Sequence, residues 1–191
     1  VQYDDLDFRV LETPHFEIHY YPAEEEAIQD VVRMSERWYE RLARLFQHEF
    51  EERKPLIFYA DHPDFQQTNT LQGFISEGTG GVTESLKDRV IMPLAGSYQS
   101  TNHVLGHELV HAFQFNVAKG QQGRGPGGVN GFVRMPLWLV EGMAEYLSIG
   151  PVDAHTAMWL RDAARDETLP EIRRLDDPRY FPYRWGQAVW A

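Results

Sequence analysis

The chain has 191 residues, 42% of them hydrophobic and 13% aromatic, with no cysteine and a formal net charge of −11. Such a length and apolar content support one globular domain with a true core and exclude a disordered chain. The acidic balance repels nucleic-acid phosphates and anionic membranes. The missing cysteines exclude disulfides and thiolate sites, so any metal must be held by histidine and carboxylate.

FEIHYY (16–21) alternates and is rich in β-formers, which predicts a strand. Pro22 and the acidic AEEEA then open a helix over about 23–47, where Ile28, Val31, Val32, Trp38, Leu42 and Leu45 recur at helical spacing. PLIFYA (55–60) is a continuous apolar run, the pattern of a strand covered on both faces, and DHPDF after it reads as a turn. Short strands are expected near 73–76, 80–84 and 89–93, separated by turn residues. Ser100 or Thr101 can cap a helix over 101–118, which Lys119-Gly120 can end. QQGRGPGGVNG (121–131) reads as a flexible loop and a candidate lid. Pro136 opens a helix over 136–148, closed by Gly150-Pro151, and Asp153 caps another over 154–166. A turn near 170–175 precedes a last helix that starts near Tyr183. No run reaches the length of a membrane span and no signal peptide is recognisable. The start at Val1 and the end inside a helical pattern, GQAVWA, imply a longer parent chain. The order of strand, helix, strands and then helices predicts an α+β domain, a mixed sheet first and a helical half after it.

The helix over 101–118 contains His107-Glu108-Leu109-Val110-His111. Residues four apart lie on one helical face, so two imidazoles there reach a single ion. Zinc takes nitrogen and oxygen ligands in tetrahedral geometry, and His107 and His111 supply two. Glu108 lies about 100° round the helix, off the ligand face but within reach of a water on the metal, where a general base belongs. The competing reading is a helix with two chance histidines. An HExxH in a chain of this length arises by chance at a level on the order of one per cent. Val104, Leu105, Leu109, Val110, Ala112, Phe113 and Phe115 also surround the motif, so the helix is buried and its polar groups need partners.

The third ligand is expected in WLVEGMAEYLS (138–148). Glu141 and Glu145 stand four apart on an otherwise apolar helix, where an ordinary exposed acidic pair is the bland alternative. Glu141 is assigned as the third ligand, and Glu145 as the carboxylate that accepts a hydrogen bond from the outer nitrogen of a ligating histidine. Gly142 would let this helix approach the motif helix closely. His15, His19, His48, His62 and His155 are read as bland surface, turn or helix-end residues. His103, one turn before His107, is a candidate for lining the cleft.

HELVH followed by PLWLVEGMAEYLS resembles the gluzincin metallopeptidases, and most closely the peptidase MA-like domain of bacterial exported proteins. The resemblance runs from YDDLDFRVLETPHFEIHYY to FPYRWGQAVW. It implies a zincin-like, thermolysin-type catalytic domain over residues 1–191, with the sheet and active-site helix in 1–120 and a helical part bearing the third ligand in 132–191. It implies Zn2+ on His107, His111 and Glu141, Glu108 as general base and Glu145 behind the ligands, where thermolysin-like relatives have Asp. His111 and Glu141 stand 30 positions apart, further than in the aminopeptidase branch, and the Gly-rich segment 121–131 accounts for the length. Gluzincins often place a Tyr or His downstream to stabilise the oxyanion. Tyr183 is the candidate here, with Tyr180 beside it and aromatic packing as the alternative role. The Gly-x-Met-Glu-Asn motif of the aminopeptidases has no match, GGVTE (80–84) being nearest, so the resemblance leans to endopeptidase cleavage of a peptide or protein. It further implies export from the cytoplasm and a C-terminal β-propeller in the parent chain. The alternative function is a catalytically weak or inactive zincin-fold binding module of a larger exported protein.

Overall fold

A computed structural model describes residues 6–68, 75–85, 87–120 and 135–191. The expected loop at 121–131 lies outside them, as do residues 73–74 of the strand expected at 73–76; residues 75–76 are not in a strand. The chain forms two compact units, Val1–Val117 and Ala118–Ala191. The architecture is α+β and zincin-like: a mixed sheet with a long helix, the HExxH helix, then helices only.

In the first unit, strands β1 (Arg9–Glu12), β2 (Phe16–Tyr20), β3 (Lys54–Tyr59), β4 (Val82–Glu84) and β5 (Arg89–Pro93) form one sheet in the order β1-β2-β3-β5-β4. The centre is parallel: β2 pairs with β3 in the register Ile18↔Leu56, and β3 with β5 in the register Leu56↔Val90. Both edges are antiparallel. Phe16, Ile18, Leu56, Phe58, Ile91 and Met92 are almost fully buried in it. Strand β1 was not expected. It is four residues long and mostly exposed, so it has no periodicity to read. A tight turn forms it, with the Thr13 and Phe16 backbones paired (2.9 Å) and the Thr13 hydroxyl accepting from Phe16 N (3.0 Å).

The first long helix, α1, spans Ile28–Phe46 rather than starting at 23. Residues Pro22–Glu24 instead form a separate 3-10 turn. The Glu24 carboxylate turns back to accept from Tyr21 N at 2.9 Å, which closes a capping box and holds that turn tight. Gln47, at φ 49°, ends α1 in the left-handed region. DHPDF is also more regular than expected. Asp61 accepts from Asp64 N (2.9 Å) and caps a five-residue helix, α2 (His62–Gln66).

Helix α3 spans Tyr98–Gly120. Its start is three residues earlier than expected because Ser97, not Ser100 or Thr101, caps it: the Ser97 hydroxyl accepts from Ser100 N at 3.1 Å. Thr101 lies inside the helix and its hydroxyl accepts from Ala95 N at 3.0 Å. Helix α1 lies against α3 where Trp38 covers Gly106; a β-carbon at 106 would stand 2.5 Å from the indole ring. The Trp38 indole N–H is shared between the Asn102 carbonyl and side-chain oxygens, each at 3.1 Å. Below the motif, Phe113 packs on Phe50 and Phe46 with ring centroids 4.3 and 5.5 Å apart.

The second unit holds α4 (Leu137–Ile149), α5 (Ala154–Arg165) and α6 (Pro182–Trp190). Asp153 caps α5 as expected, accepting from Thr156 N at 2.9 Å. Helices α4 and α6 cross glycine on glycine. A β-carbon at Gly142 would stand 2.3 Å from the Gly186 carbonyl carbon, so the close approach expected at Gly142 is made to α6. The fully buried Gln187 donates to the Gly150 carbonyl (2.9 Å) and accepts from the Thr156 hydroxyl, tying α6 to the end of α4 and the start of α5. No described helix is long and apolar enough to cross a membrane.

Candidate metal centre

Helix α3 is apolar on nearly all sides, and Leu105, Leu109, Val110 and Phe113 are fully buried on it. His107, Glu108 and His111 are buried in the same stretch. Burying such groups is costly unless each finds a partner. The two imidazoles face one another, with Nε2 of His107 3.0 Å from Nε2 of His111. The other ring nitrogen of His111, Nδ1, stands 2.8 Å from Oε1 of the fully buried Gln114. An amide oxygen only accepts, so Nδ1 is the donor in this contact, and Nε2 is the ring nitrogen aimed at His107.

The geometry fits a shared cation. Two nitrogens bound to one tetrahedral zinc at 2.0–2.1 Å stand roughly 3.3 Å apart, close to the 3.0 Å seen. Gln114 then has the role usual behind a ligating histidine: it fixes the tautomer and the ring plane. It was not singled out in the sequence, although its position three residues after His111 places it on the same helical face.

Glu108 points to the sheet edge. The Thr83 hydroxyl on β4 lies 2.6 Å from Glu108 Oε2 and 2.9 Å from the Glu108 carbonyl oxygen. Gly81, just before β4, faces the same side chain. His103 lies a turn before His107, their ring centroids 6.4 Å apart.

In the second unit Glu141 and Glu145 sit one turn apart on α4, Glu141 partly exposed and Glu145 buried. Arg184 on α6 donates to Oε2 of Glu145 and to Oδ2 of Asp153, each at 3.2 Å. This cation beside Glu145 had no signal in the sequence. The Tyr183 ring stacks on Phe181 (centroids 5.0 Å), and Tyr180 meets Trp185 edge-on (6.0 Å). Of the histidines read as bland, His15 bonds Glu36 (2.6 Å) and His48 bonds Asn116 (2.7 Å). Burial holds the His19 imidazole below its ordinary pKa, Glu17 opposing it.

Two imidazoles on one face of α3, with two glutamates one turn apart on the later helix α4, match the HExxH zinc-binding architecture of the gluzincins. No protein-family model, no curated protein and no solved structure matches this chain.

Proposed function

We propose that this protein is a zinc metallopeptidase in which His107, His111 and Glu141 hold the ion and Glu108 is the general base. The observation that carries the reading is the pair of buried Nε2 atoms 3.0 Å apart with a buried glutamate next in sequence to His107. A bound zinc ion supplies Lewis acidity, acidifying water and polarising a carbonyl. Glu108 takes a proton from the attacking water and returns it to the leaving amine nitrogen. Glu145 supports the ligand shell from behind, with Arg184 holding its Oε2. Tyr183 is the proposed donor to the developing oxyanion. An extended peptide adds along β4, a strand at the edge of the sheet. Cleavage within a chain is favoured over aminopeptidase action because no amine-capturing motif is recognisable. Export, and a β-propeller elsewhere in the parent chain, enter the proposal through the resemblance alone.

The test is metal content by plasma mass spectrometry together with cleavage of fluorescein-labelled casein, on wild type, Glu141→Ala and Glu108→Gln. The expected result is one zinc per chain in wild type and Glu108→Gln, much less in Glu141→Ala, and cleavage by wild type alone. Zinc bound without any cleavage would favour the zincin-fold binding module. Wild type that takes up no zinc would sink the metal reading.

A further inference from the structure

The strand edge that faces the motif touches Glu108 directly. Thr83 is the central residue of β4, paired in register with Val90, so its side chain shares a sheet face with a residue buried in the core. The register is pinned on the next pair, where Arg89 donates to Glu84 across the two strands at 2.7 Å. Asp88 in the turn between these strands is in turn bonded by Lys54 of β3 and by Asn116 of α3. The backbone that carries the Thr83 hydroxyl is thus held from three elements, β5, β3 and α3.

That hydroxyl has one proton and two acceptors within reach, Glu108 Oε2 at 2.6 Å and the Glu108 carbonyl at 2.9 Å. A carboxylate bonded at one oxygen retains its free lone pairs on the other. Gly81 completes the arrangement. A β-carbon there would stand 2.9 Å from Glu108 Cγ and 3.0 Å from Oε1. The space that Oε1 needs is therefore the space a side chain at 81 would take.

We propose that Gly81 and Thr83 are positioning residues for Glu108: the Thr83 hydroxyl holds Oε2, Gly81 leaves room for Oε1, and Oε1 is the oxygen that receives and returns the proton. This rests on the reading of Glu108 as general base. In the step itself a water O–H bond breaks as the Oε1–H bond forms, and Oε1 later gives that proton to the amine nitrogen. Thr83 loses no atom and keeps its hydrogen bond to Oε2 throughout.

The substitutions separate positioning from folding. Thr83→Val keeps the shape and removes the hydroxyl, and Thr83→Ser restores it. Gly81→Ala presses on a flexible side chain rather than on backbone, so Glu108 should move before the fold does. On the full chain with labelled casein, Thr83→Val is expected to lower kcat about 10–100-fold, as for the loss of a hydrogen bond to a charged group. KM and zinc content should be unchanged, Thr83→Ser within about threefold of wild type, and Gly81→Ala low in kcat. Crystal structures of zinc-loaded wild type and Thr83→Val give a readout independent of turnover, with the Glu108 carboxylate expected to leave its position in the variant. An unmoved carboxylate, an unchanged kcat in Thr83→Val, or a Ser variant as slow as the Val variant would overturn the proposal. Glu108→Gln with wild-type activity would instead overturn the general-base reading, and the step at Oε1 with it.

Discussion

Glu24 shows how one buried carboxyl sets a pH response. Burial, with Asp64 nearby, pushes it from the ordinary 4.5 up to about 7, against the bond from Tyr21 N. Its Oε1 has no hydrogen-bond partner among the described residues. The folded state therefore keeps a proton that the unfolded chain releases, so this contribution is full below about pH 4.5 and is lost as pH rises through about 7. Glu24→Gln keeps the capping oxygen and removes the charge. It should be more stable than wild type at pH 8 by on the order of 1–3 kcal/mol and no more stable at pH 4, as urea midpoints at the two pH values will show. Gln114 supports a second prediction. Gln114→Leu frees the His111 ring, so zinc affinity should fall about 10–100-fold in a chelator competition; an unchanged affinity would show that the amide is only packing. At this scale the sequence was informative wherever chemistry depends on local spacing. His107, Glu108 and His111 are legible because helical geometry alone brings them together. Thr83 and Arg184 are not, since what they touch depends on which strand or helix the fold sets opposite.

Helix contacts are decided by what a residue lacks as much as by what it carries. Gly106 sits between Leu105 and His107 under the Trp38 ring. A methyl group there meets a rigid indole, so Gly106→Ala should overpack the α1–α3 contact and cost about 1–3 kcal/mol in urea unfolding. Gly142→Ala meets backbone rather than side chain and should be worse. Its signature is loss of the α4–α6 pair, read as accelerated amide exchange at Gln187. The long helices were legible because their apolar residues recur over several turns, with Asp153 marking the start of α5. Strand β1 and the 3-10 turn at Pro22–Glu24 were not, for their conformations are fixed by partners rather than by pattern.

For the whole molecule, ligand linkage is the most direct check. A zinc ion that binds only the folded chain at a hundredfold excess over its Kd adds about 2.7 kcal/mol, expected as a rise in Tm of roughly 5–10 °C on adding zinc and a fall on adding chelator. Indifference of Tm to both would count against a folded-state site. The class of fold was readable from the order of elements, because a sheet followed by helices has few ways to bury itself. Its strand order was not, because nothing local records that β5 rather than β4 lies beside β3. That order has a kinetic consequence. The two parallel pairings at the centre join residues 38 and 34 positions apart, as in Phe16 with Lys54 and Leu56 with Val90, and such non-local closures are slow. Among the described strands β4 joins the sheet through β5, so the hairpin that carries Thr83 takes its place when β5 closes on β3. A refolding chain should therefore regain its helices early and the bond between Thr83 and Glu108 late, with a lag between helicity and completion of the sheet.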